Sequence, residues 1–224
     1  MTEFLLAVLV FLLAHVLPTA TGLRGSLIAR VGRPAYLAGY SLLSLAAIAW
    51  VIAAALRAPY IELWPAGRLT ALVPLVAMLP ACILLAAAAA TPNPLSVTFR
   101  AGLPDPGRPG LATLLRHPLL WAFFLWAASH LVANGDLVSL ILFASLAVFS
   151  LLGMKRLESR ARQRLSPHDY AAALAATGGG PAARLKRVAS LRSLIEVFAG
   201  LTLYAVFLSL HALVIGVAPL AVFS

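Results

Sequence analysis

Apolar residues gather in six long runs, and polar residues gather between them. The runs cover 3–20, 35–56, 69–90, 118–133, 137–153 and 197–220. A helix needs about 17–25 mostly apolar residues to cross a bilayer, and each run is near or within that length. The fourth and fifth are joined only by Asn134-Gly135-Asp136, which predicts a tight helical hairpin with Asp136 capping the second helix. The pattern predicts an all-α, polytopic membrane helix bundle of about six spans. A single domain over 1–224 is expected, with no tandem repeat. The first run opens Met1-Thr2-Glu3, without a basic leader, so it reads as a retained helix rather than a signal peptide.

The connecting segments carry their own signals. The stretch from Thr21 to Tyr36, "TGLRGSLIARVGRPAY", reads as a basic loop punctuated by Gly22, Gly25 and Gly32, with Pro34 starting the next helix. Tyr60 and Trp64 suit a membrane interface. Pro74 and Pro80 should kink the third span or mark a cavity wall, and the small residues that follow suit close helix contact. "RAGLPDPGRPG", from Arg100, is too rich in Pro and Gly for regular structure. After the fifth span a basic helix is expected over 154–165. Ser166-Pro167 then starts a short helix to about Ala176, because Ser at the N-cap and Pro at N1 are a helix start signal. Gly178-Gly179-Gly180-Pro181 ends it. The expectation is a short cytoplasmic amphipathic helix pair before the last span.

Composition agrees with a membrane location: 62% of the 224 residues are hydrophobic and mean hydropathy is +0.97. A soluble domain of this size could not hide so much apolar surface. Charge sets the expected orientation. Under six spans, the loops after helices 1, 3 and 5 share one side and hold 15 of the 17 Lys and Arg; only Arg57 and Arg68 lie opposite. Basic loops face the cytoplasm, so both termini are expected in the periplasm. The net charge of +10 flanks the spans, which points to anionic lipid headgroups rather than nucleic acid. The Gly178–Gly180 run matches no phosphate-binding pattern and reads as a connector.

The chemistry must come from few residues. Cys82 stands alone, which excludes intrachain disulfides and iron–sulfur clusters. Four of the five histidines lie in or at the spans: His15, His117, His130 and His211. Ionisable residues are costly there, and function or interhelical hydrogen bonding accounts for them. Depth sorts them. His15 and His117 fall toward the basic side. His130 lies thirteen residues beyond His117, about 20 Å along the helix and roughly 220° round it, near the opposite side with His211. Two imidazoles at one depth on different helices are what a six-coordinate haem requires. The inner pair is the candidate ligand set, with Arg24 and Arg116 placed for the propionates. His130 is expected to support packing or a substrate path, His211 to hydrogen-bond between helices, and the chain to hold one haem. Glu158 reads as an ion pair among arginines, and Glu196 as a partner of Arg192 four residues before it. Tyr170 reads as an interfacial anchor.

"RHPLLWAFFLWAASHLVANGDLVSLILF", from Arg116, resembles the signature of the NnrU family of bacterial inner-membrane proteins. The resemblance extends to "LLAHVLPTATGLRGSLIARVGRPAYLAGYSLLSL" near the start and to "ATPNPLS" at Ala90–Ser96. It implies a link to denitrification and nitric oxide metabolism, where such proteins are needed for active nitrite or nitric oxide reductase. The family is similar to 15-cis-ζ-carotene isomerase, an integral membrane enzyme that uses haem b. That likeness implies haem b on His15, ahead of Leu23-Arg24, and on His117 in Arg-His-Pro, with a reductase partner or a small apolar substrate.

A second resemblance implies something else. Arg116-His117-Pro118, then Glu158 and "LSPHDYAAALAA", is similar to membrane methyltransferases that bind S-adenosylmethionine, although no second acid adjoins Glu158. A haem-free scaffold for reductase assembly is the third expectation. Whether the chain is an enzyme stays open at this point.

Overall fold

The computed structural model describes residues 1–97, 100, 102 and 110–223. Most of the Pro- and Gly-rich loop, with Asp105 and Arg108, lies outside them. All regular structure among the described residues is helical; the only β-type pairing there is an isolated bridge between Glu62 and Asp136. The chain divides into two compact units, Met1–Leu63 with Asp136–Val138, and Trp64–Gly135 with Ser139–Ser224.

The first unit holds α1 (Thr2–Ala20), α2 (Leu23–Val31) and α3 (Arg33–Arg57). Phe4 and Ala7 of α1 are fully buried and Val51 of α3 nearly so. An ion pair ties the start of α1 to the end of α3, with Glu3 accepting from Arg57 at 2.5 Å and from Trp50 Nε1 at 3.3 Å. Both partners are about half exposed, so the pair fixes register more than it stabilises. Helix α2 corrects the loop expected here. Gly22 (φ 72°) and Gly32 (φ 81°) stop the chain on either side of it, but "LRGSLIARV" between them is helical, and Gly25 sits inside it. Glycine disfavours a helix interior without forbidding it.

The second unit holds α4 (Arg68–Ala90), α5 (Pro118–Asn134), most of α6 (Leu137–Arg164), α7 (Pro167–Thr177), α8 (Pro181–Val188) and α9 (Leu191–Ile215). Helix α4 is central and packs against α5 and α9. The small residues allow it: Ala81, Ala87 and Ala88 are buried, and Gly200 of α9 lies so near Ile83 that a Cβ there would overlap its backbone. Tyr204 donates to the Leu75 carbonyl between the two prolines of α4. The basic helix expected after the fifth span is continuous with it as one 28-residue helix. Ser166 caps α7 as expected, accepting from the Asp169 N–H at 3.1 Å.

Four described helices are long and apolar enough to cross a membrane: α3, α4, α6 and α9. A fifth span arises only if Thr2–Pro18 and Leu23–Val31, bent by 75°, count as one; α5 is apolar but shorter, at 17 residues. Their outward faces match such a setting, as with Leu194, Ile195 and Phe198 of α9.

Candidate functional site

The N-terminal end of α5 is built by the stretch between α4 and α5. Asn93 donates to the Arg116 carbonyl at 3.0 Å and its Oδ1 accepts from the Leu95 N–H at 3.1 Å, so one amide holds two backbone segments. Pro118 starts α5, and His117 takes the N-cap position with no capping hydrogen bond from its side chain. That leaves the His117 ring 5% exposed. Neither Nδ1 nor Nε2 has a hydrogen-bond partner; Ser96 Oγ is the other such buried atom among the described residues.

An orphaned buried imidazole costs about 1–3 kcal/mol, so its presence calls for an explanation such as a ligand, a water or stored strain. The nearest charge is Glu158, whose Oε2 lies 3.8 Å from His117 Nε2. That separation is too long for a hydrogen bond and short enough for strong charge interaction. Burial pushes the His117 imidazole below the usual histidine range. Glu158 pulls the other way and Arg116 adds to the lowering. Desolvation dominates and favours the neutral ring, the form that ligates metals.

Glu158 is more than one member of a solvated pair. It accepts from Arg116 at 2.8 Å and lies 3.5 Å from the Tyr170 hydroxyl, while its side chain is only 28% exposed. Arg162 stacks over the Tyr170 ring at 5.6 Å. Tyr170 itself packs on Leu95, Ala161 and Ala173, so it anchors α7 to the protein. A groove of about 330 Å³ lined by Lys155, Glu158, Ser159 and Arg162 opens beside this cluster.

The expected Arg192–Glu196 pair is present at 3.1 Å, and it belongs to a larger clamp. Glu196, nearly fully buried, also accepts from the Leu111 N–H at 2.6 Å and from the Thr91 hydroxyl at 3.1 Å. Arg192 reaches the Ala90 carbonyl and Thr91 Oγ1, each at 2.8 Å. Gly110 leaves room for the clamp, because a Cβ there would overlap the Glu196 carboxylate and force it to shift. No spacing in the sequence joins Thr91, Asn93 and Gly110 to Glu196 or His117. The signal was faint: a lone acid four residues after an arginine, opposite a Thr-Pro-Asn-Pro stretch.

His15 sits in the first unit, where its Nδ1 donates to the Phe11 carbonyl at 2.7 Å. Its ring lies 4.4 Å from Phe11 and 5.7 Å from Tyr40, centre to centre. A carbonyl can only accept, so the hydrogen is on Nδ1 and the lone pair on Nε2. Arg24 is exposed on α2, and Arg116 is half exposed.

The structure brings His130 and His211 together within the second unit, their ring centroids 6.5 Å apart. His211 departs from the expected bond between helices. Its Nδ1 donates to the Val217 carbonyl at 2.8 Å, just past the Gly216 cap of its own helix. Among the described residues no group of three or more His, Cys, Asp or Glu could hold a metal ion, and Cys82 is a free, buried thiol.

Long apolar helices around an alanine-rich centre, with charge confined to the ends, define a helical membrane protein. The chain belongs to the NnrU family: the family's sequence profile, described as NnrU protein, matches residues 3–219. No curated protein and no solved structure matches it.

Proposed function

We propose that this protein binds haem b, with His117 as one iron ligand and His15 as the other, in the bacterial inner membrane. The observation that carries the reading is the buried His117 imidazole with both nitrogens unbonded. Local features of each proposed ligand support the reading. Glu158, 3.8 Å from Nε2, is the carboxylate that would orient the ring. His15 has its Nδ1 hydrogen held by Phe11, which fixes the ring's orientation. Arg24 and the exposed part of Arg116 would face the propionates. Asn93 and Pro118 set where His117 stands.

Haem b would supply an iron able to take nitric oxide, pass one electron or assist isomerisation of a polyene. The family resemblance favours nitric oxide metabolism and denitrification, with a reductase as partner. The same reading keeps six spans, periplasmic termini and anionic lipid headgroups against the basic loops. A reporter fused after Ser224 should therefore be active in the periplasm; a cytoplasmic signal would overturn the orientation.

The spectroscopic test uses protein purified in detergent from haem-replete cells. It should be red, with a Soret band lost in His117→Ala and in His15→Ala and kept in His168→Ala, a residue whose side chain is 92% exposed. Colourless wild-type protein would overturn the proposal.

One observation supports a second reading. Tyr170 and Glu158, the residues shared with membrane methyltransferases, do meet, beside the groove at Lys155 and Arg162. Colourless protein that binds S-adenosylmethionine would establish that reading, and protein that binds neither would leave a scaffold for reductase assembly.

A further inference from the structure

We infer that His130 and His211 form a two-coordinate site for a cuprous ion, separate from the residues proposed for haem. Both residues belong to the second unit, His130 in the last turn but one of α5 and His211 near the end of α9. Each ring is fixed in the same way. His130 Nδ1 meets the Trp126 carbonyl at 2.8 Å, and His211 Nδ1 meets the Val217 carbonyl at 2.8 Å. Because carbonyls accept only, each Nδ1 carries the hydrogen, and each Nε2 carries the lone pair. A carbonyl or carboxylate on the second ring nitrogen is the usual support behind a metal-binding imidazole. Two such rings side by side are not needed to close either helix.

The separation suits one ion. A metal about 2 Å from each nitrogen, with about 1.1 Å from nitrogen to ring centre, sets the centroids about 6 Å apart. The observed value is 6.5 Å, with the planes 23° from parallel.

The surroundings choose among ions. The ligands are neutral, and no cluster of three or more ligating side chains exists among the described residues. Zinc in structural sites takes four ligands, and calcium and magnesium require oxygens. A monovalent d¹⁰ ion accepts two nitrogens in line and carries the least charge into an apolar setting. Trp126 and Phe143 stand around His130, with ring centres 5.9 Å and 5.4 Å away. Aromatic faces attract a partly desolvated cation. The same rings crowd the space that a porphyrin would need, which argues against a second haem.

The test uses full-length protein in detergent, titrated anaerobically with Cu(I) against a chromophoric Cu(I) chelator. One equivalent per chain should be withheld from the chelator, with an X-ray absorption edge of two-coordinate Cu(I), nitrogen scatterers and no sulfur. His211→Ala carries the decisive comparison, since His211 is partly exposed near a helix end and its loss leaves the packed α4–α5 contact intact. It should weaken Cu(I) binding at least tenfold, as should His130→Ala, while His117→Ala and Cys82→Ser should leave it unchanged. The Soret band reports the haem reading separately, so either idea can fail alone. Wild-type protein that withholds no copper, copper retained in His211→Ala, a sulfur ligand, or two haems per chain by pyridine haemochrome would each overturn the site.

Discussion

The two ends of α5 hold histidines in opposite ways. At its start, His117 is buried among charges, with Arg116, Glu158 and the Arg192–Glu196 clamp in the same unit, yet neither ring nitrogen is bonded. At its other end, His130 is anchored to a backbone carbonyl, faces a second imidazole and has the Trp126 and Phe143 rings beside it. One end satisfies its carboxylates and leaves an imidazole wanting; the other orients its imidazoles without any charge. A neutral ring without partners suits a ligand that brings its own hydrophobic bulk. Two oriented rings suit a bare ion.

The largest effect should come from the charged end. Glu196→Ala leaves Arg192 without its buried counter-ion and strips the Leu111 N–H and Thr91 hydroxyl of their acceptor. Removing one partner of a buried pair costs about 3–5 kcal/mol, and unfolding in detergent should show that loss. A change below about 1 kcal/mol would mean that water replaces the carboxylate.

At the neutral end, the sensitive feature is backbone rather than charge. Gly135 has φ 69°, and a Cβ there would overlap the Trp64 carbonyl; Trp64 also donates from its own N–H to the Gly135 carbonyl. Left-handed conformation alone costs a non-glycine residue about 1–2 kcal/mol, so Gly135→Ala should destabilise by at least that much. Thermal unfolding in detergent, followed by circular dichroism, checks this.

His117→Leu separates function from stability. In haem-free protein it removes an orphaned polar ring, and should leave stability unchanged or raise it by about 1–2 kcal/mol. Clear destabilisation of the haem-free form would show that His117 is a packing residue with hidden partners. The smallest effect is Ser166→Ala, which deletes one helix cap and should cost about 1 kcal/mol, read as fraying of α7 by hydrogen exchange with the α5 ends unchanged.

Local signals made most of the helices legible. Apolar runs placed α1, α3, α4 and α5 to within a few residues, whereas α9 runs Leu191–Ile215 against the expected 197–220. Ser166-Pro167 gave the start of α7, and the four-residue spacing gave Arg192–Glu196. Helix α2 was not legible, because three glycines read as loop punctuation while only the outer two act as stops. The clamp on Glu196 was hidden for a different reason: its acceptor role joins Thr91, Leu111 and Arg192 across 85 to 105 residues of chain for the distant partners. Depth counting placed His130 with His211 but not the bond of His211, since a partner six residues downstream depends on how Gly216 turns the chain (φ 84°). Six apolar runs were legible as well, yet length and hydropathy support four spans outright.

The central claim is that His117 ligates haem iron, and chemical rescue tests it most directly. His117→Gly leaves a cavity the size of the lost ring, so purified variant protein should lack the six-coordinate low-spin spectrum expected of the wild type. Adding free imidazole should restore it, while adding imidazole to His168→Gly should change nothing. A wild-type-like spectrum in His117→Gly before imidazole is added, or no haem in either protein, would contradict the account.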